Sequence, residues 1–390
     1  MSDSLNYCVM VNSSFNDGLV IRELDGSRKD MALFIQLPYI IHKHHKQWLP
    51  PIWEDEWKVF DAEKNSAFEH CDTILLLAER SGQVVGRIMG IINHSYNQKQ
   101  NEQSARFCFM ECYEDRQVFN ALLSTIEHWA KEKGMNEVVG PIGFSDKDPQ
   151  GFLIEGFDDP VTVMITNHSY PYMADLMAER QYTKKIDLVQ YRFDLPYPLP
   201  AIYHKIAERV LLKGYKAVEF TKTKDIRPWV SPVFNLINAS FQKIYGFSAL
   251  TDEEAHEFSN RFLPILNPKF VKLVLDAEDK LVAFVIGMPD MSKGLKAVGG
   301  RLFPFGFIRV LWAMKKAKQL NLMLGGIEES KRNLGLDSLL AVKLIDSAAN
   351  AGFKVLDSHL VMESNVKTRA EYERIGAVVY KKYRIFHSAI

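Results

Sequence analysis

The reading of the fold turns on residues 328–353, EESKRNLGLDSLLAVKLIDSAANAGF. This stretch opens with charge and glycine and closes as an amphipathic helix that stops at Gly352, a residue suited to end a helix. Upstream, LNLMLGGIEE reads as a strand that runs straight into Lys331, Arg332, Asn333, Leu334, Gly335, Leu336 and Asp337. A strand, a glycine turn and a helix in that order set successive backbone N–H groups at a positive helix end, where phosphate binds well. Lys331 and Arg332 add positive charge, and Gly335 lets the backbone come close to a bulky ligand because it has no Cβ. A plain strand-to-helix turn fits the same residues, since short glycine motifs recur by chance.

Outward from this stretch, the chain repeats itself. TILLLAERSGQVVGRIMGII (residues 73–92) and KFVKLVLDAEDKLVAFVIGM (residues 269–288) both read as β-hairpins, about half the chain apart. Each is followed by a strand and then a helix, ARFCFMECYE with VFNALLSTIEHWAKEKG and LNLMLGGIEE with LGLDSLLAVKLIDSAANAG. Both helices stop at a glycine, Gly134 and Gly352. A short strand, a short helix and a closing strand complete each half, the closing strands being KKIDLVQYRFDL and AVVYKKYRIFH. The proline-rich DLPYPLPAIY (residues 194–203) divides the halves. Two domains are expected, residues 1–196 and 197–390, each a mixed α+β unit with helices on the faces of its sheet.

Composition sets outer limits. A chain of 390 residues exceeds the usual domain of about 100–200, and its apolar content can fill two cores. Lys plus Arg number 48 and Asp plus Glu number 48, which argues against a broad electrostatic grip on nucleic acid. The cysteines Cys8, Cys71, Cys108 and Cys112 lack the ligand spacing of a zinc site and read as reduced thiols, so no metal is expected. The N-terminal stretch has no basic start followed by an apolar run, and no window is long and apolar enough to cross a bilayer. A cytoplasmic protein is expected.

The turn Arg332-Asn333-Leu334-Gly335-Leu336-Asp337 resembles the R/Q-x-x-G-x-G/A signature of the GNAT acyl-CoA N-acyltransferases. Downstream, ESNVKTRAEYERIGAVVYKKYR is similar to that family's asparagine, tyrosine helix and closing strand, through Asn365, Tyr372, Glu373, Arg374, Ile375, Gly376 and Ala377. Asp337 departs from the family's small residue, and its carboxylate would repel a phosphate unless it turns toward the helix. The first half resembles the same fold more weakly. Its corresponding turn, Glu111-Cys112-Tyr113-Glu114-Asp115-Arg116-Gln117, has no glycine and carries adjacent acids. The resemblance therefore implies a tandem GNAT-like chain whose C-terminal half carries the acyl-CoA site, with a degenerate first half.

It also implies roles. Acyl-CoA or acetyl-CoA is the donor, held through Ile327, Lys331, Arg332, Asn333, Leu334, Gly335, Leu336, Asp337 and Asn365. A backbone N–H within residues 324–327 would stabilise the oxyanion. Tyr372 would protonate the leaving thiolate, or else pack its helix on the sheet. An attacking amine must lose a proton, and Glu328 and His359 are the candidate bases.

The resemblance implies a small-molecule or lipid-like amine as acceptor. Residues 140–171 have no counterpart in the second half. They are expected to pack at the junction, either lining an acceptor pocket or sealing the halves as a flap. RLFPFGFIRVLWAMKKAKQL (residues 301–320) and IQLPYIIHKHHKQWLPPIW (residues 35–53) suit either a peripheral membrane contact or the cover of a sheet. His42, His44 and His45 read as surface residues. The layout resembles bacterial N-acyltransferases of long-chain amines, ceramide synthases included. A catalytically silent acyl-CoA-binding protein fits the same motifs, and the oligomeric state is left open.

Overall fold

The computed structural model describes residues 18–159, 168–195 and 198–390. Cys8, the N-terminal stretch before residue 18, part of the 140–171 segment and the expected boundary at 196–197 lie outside the described residues.

The first half runs β1 (Leu19–Glu23), α1 (Arg28–Ile41), α2 (Trp53–Val59), β2 (Cys71–Arg80), β3 (Gln83–Asn93), α3 (His94–Gln100), β4 (Ser104–Cys112), α4 (Arg116–Glu132), β5 (Glu137–Gly140), β6 (Phe152–Glu155), α5 (Pro171–Glu179) and β7 (Thr183–Asp194). The second half repeats the plan: α6 (Ala201–Leu212), β8 (Lys216–Glu219), α7 (Val230–Ser240), α8 (Asp252–Phe262), β9 (Val271–Leu275), β10 (Leu281–Pro289), α9 (Ser292–Ala297), α10 (Gly306–Lys316), β11 (Gln319–Ile327), α11 (Leu336–Asn350), β12 (Val355–Asp357), β13 (Val361–Met362), α12 (Val366–Arg374) and β14 (Val378–Ala389). The mixed α+β class read from the sequence is the observed one.

Local chemistry sets the elements. The β2–β3 turn places Ser81 and Gly82 at positive φ, the geometry of a tight hairpin. The β9–β10 turn is held by Asp276 Oδ1, which accepts the N–H of Glu278 and of Lys280. Helix α4 buries Val118, Phe119, Leu122, Leu123 and Ile126, one helical face. Each such fully buried side chain contributes about 1.5–3 kcal/mol by leaving water. The helices cover both faces of each half. Helices α4 and α5 pack on one side of the first half, and α1 and α2 supply the core of the other. In the second half α6 and α11 cover one side, α7 and α8 the other.

All of this rests on one fourteen-stranded sheet, ordered β1-β2-β3-β4-β5-β14-β7-β12-β11-β10-β9-β8, with β6 and β13 at its centre. The pairs β4–β5 and β11–β12 are parallel, and every other described pair is antiparallel. The closing strands are exchanged. The sequence reading has each one finish its own half, whereas β14 inserts between β5 and β7, and β7 lies between β14 and β12. The described part of the 140–171 segment reinforces this junction. Its β6 pairs with β14, Asp146 N–H donates to the Gly246 carbonyl, and Lys147 Nζ donates to the Ser248 carbonyl. Among the described residues, no helix is long and apolar enough to cross a membrane.

Candidate active site

Strands β11 and β12 run side by side only from Gln319–Val355 to Asn321–Asp357 and then diverge. Beyond that point β11 carries a bulge against β10: Gly287 faces Leu322 and Ile286 faces Leu324, so Met323 is the extra residue. The first half does the same. Strands β4 and β5 part after Arg106–Val139, and β4 bulges between Cys108 and Glu111, where Phe109 takes positive φ.

Each bulged strand leads to a helix start, and here the halves differ. In the first, Asp115 Oδ1 accepts the N–H of Gln117 at 2.9 Å and of Val118 at 3.1 Å, and Asp115 is paired with Arg80. In the second, Gly335 at the N-cap of α11 brings no side-chain cap. The amides at that end keep their capacity to bind an anion. The preceding turn is open to solvent, with Asn333 and Leu334 exposed and Asn333 at positive φ.

The sequence-predicted residues sort themselves around this turn. Ile327 ends β11, and its carbonyl accepts from Arg332 Nε at 3.4 Å, while the other arm of Arg332 reaches the Ser240 carbonyl at 3.3 Å. Lys331 and Arg332 are half-buried at the loop base. Leu336 is buried in the core beneath α11, and Asp337 lies in the helix's first turn; the Tyr203 phenol is raised mainly by burial, then by Glu371, with Asp337 adding least. Asn365 caps α12 by accepting the Thr368 N–H at 3.3 Å. Gly335 answers a structural demand rather than room for a ligand: its φ is 90°, and a Cβ there would stand 2.4 Å from Ile206 Cγ2 of α6.

The three catalytic candidates occupy different surroundings. Glu328 binds Lys280 Nζ at 2.9 Å and Ser330 Oγ at 2.8 Å, and these bonds hold its carboxyl below the ordinary range. That makes it a weak base. His359, just past β12, is kept neutral by burial, which lowers its pKa. Its Nδ1 lies 3.4 Å from the Leu360 carbonyl, and its Nε2 is buried with no hydrogen-bond partner among the described residues. Tyr372 of α12 packs its ring 5.2 Å from that of Tyr191, and burial, with Asp357 and Tyr191 nearby, pushes its phenol up to about 12. It is a protonated donor at neutral pH.

A polar cluster that the sequence reading left on the surface lies buried in the first half. His42 Nε2 is 3.0 Å from Glu111 Oε2, and His42 Nδ1 is 2.9 Å from His45 Nδ1. With the carboxylate accepting, His42 donates from Nε2 and accepts from His45 Nδ1–H, leaving His45 Nε2 as an acceptor. Burial is the main cause that pulls His45 down to about 4 and the adjacent His168 to about 3. Only His44 of the trio is exposed. Lys381, on β14 at the junction, is fully buried, and burial lowers its ammonium to about 8 against the opposing pull of Asp357 and Asp159. Asp357 accepts from Gln190, Gln319 and Tyr380. Cys71, Cys108 and Cys112 are free thiols, and burial raises all three. A groove of about 480 Å³ beside the first-half turn is lined by Tyr113, Glu114, Tyr170 and Asp175, and its acids suit no phosphate.

Two halves joined into one sheet by exchanged strands, each with a bulged, diverging strand pair leading to a helix, define the tandem GNAT fold. A tandem GNAT protein from the clavulanic acid biosynthesis pathway matches 95% of this chain and 98% of its own, with a TM-score of 0.53 and 12% identity. A GCN5-related N-acetyltransferase from Sphaerobacter thermophilus matches 96% of this chain and 97% of its own, with a TM-score of 0.51 and 13% identity. In sequence, Protein YghO of Escherichia coli strain K12 is 26% identical over all of both chains. A bacterial ceramide synthase of Caulobacter vibrioides is 24% identical over 93% of this chain and 95% of its own. No family model matches the chain.

Proposed function

We propose that the protein is an acyl-CoA-dependent N-acyltransferase whose second half, residues 197–390, carries the acyl site. The observation that carries this reading is the uncapped start of α11, set behind a diverging strand pair, where the first half closes the same position with Asp115. Backbone amides at the helix start, with Lys331 alongside, would hold the pyrophosphate of the donor. An N–H of the bulged β11 would stabilise the oxyanion as the amine attacks the thioester carbonyl. The new N–C bond forms as the C–S bond breaks. An amine must shed its ammonium proton to attack, with neutral His359 as the candidate base once the bound substrates uncover its buried Nε2, and Tyr372 gives its phenolic proton to the departing thiolate. No metal is needed for this chemistry.

A long-chain amine is the acceptor favoured by the relative named as a bacterial ceramide synthase. The test is calorimetric titration with free coenzyme A, acetyl-CoA and palmitoyl-CoA, followed by turnover on short and long primary amines. Leu334→Glu puts a negative charge at an exposed position of the turn and is expected to abolish binding with the melting temperature unchanged. Binding without turnover on any amine would instead favour a silent acyl-CoA-binding protein. No binding at all would end both readings.

A further inference from the structure

We infer that the face formed by α10 and the turn before it docks the protein on an anionic membrane surface. The inference is independent of the acyl-site reading. Helix α10 turns Val310 and Met314 inward, where they meet Leu49, Met288 and Leu295. Its outer side is also apolar. Phe307, Ile308, Leu311 and Trp312 are exposed, and the preceding turn adds Phe303 at 80% and Phe305 at 70% exposure. Soluble surfaces rarely gather so many large apolar groups in one patch without a partner.

The patch is held out by the rest of the protein. Glu54 accepts the N–H of Leu302 and of Phe303, Phe307 N–H donates to the Leu302 carbonyl, and Arg301 lies over the Trp53 ring at 4.3 Å. The two aromatic side chains at the tip therefore project from an anchored backbone.

Charge identifies the partner. Residues 291–327 contain seven Lys or Arg and no Asp or Glu, in a chain whose net charge is zero. Arg309, Lys315, Lys316 and Lys318 are exposed around the aromatic face, and Lys316 Nζ lies 3.8 Å over the Trp312 ring. Lys296 Nζ donates to the Lys46 carbonyl, so the segment carrying the exposed Lys43 and Lys46 of the first half lies against α9, the helix packed on α10. An apolar face ringed by cations matches an anionic bilayer, with aromatic side chains at headgroup depth and cations on the lipid phosphates.

Flotation of the full chain with phosphatidylcholine vesicles, with and without phosphatidylglycerol, tests this. Binding is expected only with the anionic lipid and should fall as salt rises. Phe303→Ser combined with Phe305→Ser and Trp312→Ser should remove binding with the melting temperature unchanged. Lys315→Glu with Lys316→Glu should lower it about tenfold or more. No binding to anionic vesicles, or binding that both variants retain, would overturn the inference. So would sedimentation showing a dimer that the serine variant splits, since the face would then bind a second copy.

Discussion

Gly335 and Ile206 compete for one space: a Cβ on the glycine would stand 2.4 Å from Ile206 Cγ2. Gly335→Ala is expected to destabilise the fold by about 2–4 kcal/mol, from positive φ and overpacking together. Ile206→Ala in the same chain should recover the packing part only, as urea midpoints would show. Loss of coenzyme A binding in a Gly335 variant would therefore not report on the ligand alone.

The two helix starts respond differently to mutation. Asp115→Ala removes a cap from α4 and should cost about 1 kcal/mol. It should leave coenzyme A affinity unchanged, because that cap belongs to the half without the proposed site. A fall in both stability and affinity would mean that the first half shapes the donor site after all.

Acid should unfold this protein early. Burial depresses His45, His168 and His359, so the unfolded chain takes up protons that the folded chain refuses. Stability is then full above the ordinary histidine pKa and is lost as pH falls toward the folded values near 4 and 3. Each group contributes a slope of at most about 1.4 kcal/mol per pH unit within its window. His45→Gln with His168→Gln should flatten the curve of unfolding free energy against pH below about 6.5. An unchanged slope would show that these rings are not buried neutral.

Much of the architecture was legible from local chemistry. Ser81 and Gly82 mark one hairpin, and Gly134 and Gly352 end the two long helices, each because its own backbone geometry demands it. The exchange of β7 and β14 was not legible. Both strands carry similar patterns, and nothing local distinguishes pairing within a half from pairing across it. The turn at residues 328–335 was visible as a motif, but the reason for Gly335 lay in α6, far away in sequence. His42 was missed for a related reason. In HKHHK (residues 42–46) it reads as surface, and the carboxylate that explains its burial is Glu111, brought to it only by the fold.

Tyr372 offers a kinetic test. Its phenol is pushed up to about 12, so it stays protonated well past the ordinary tyrosine range. As the acid that serves the thiolate, it predicts a rate that falls on the alkaline side only as pH nears 12. Tyr372→Phe should lower kcat about 100-fold, the lower end of what a positioned acid contributes. The ring still packs on Tyr191, so the melting temperature should hold. A phenylalanine variant with full kcat would assign the residue to packing.

The exchanged strands make the halves interdependent. Residues 1–196 alone would lack β14, which supplies one of the two neighbours of β5 and one whole side of β7. Residues 197–390 alone would lack β7, which pairs with β12, β13 and β14. Each fragment would expose a long unpaired edge, with the buried face of Leu188 bared in the first and those of Tyr383 and Ile385 in the second. Expressed separately, both fragments should be insoluble or protease-sensitive. Expressed together, they should form a soluble complex that survives gel filtration, because the pairings are non-covalent and long. Ending the chain before residue 378 should expose both β5 and β7 to cleavage, although both lie in the half opposite the cut. A truncated chain whose first half stays protected would show that β1 through β6 complete a core without the exchanged strand.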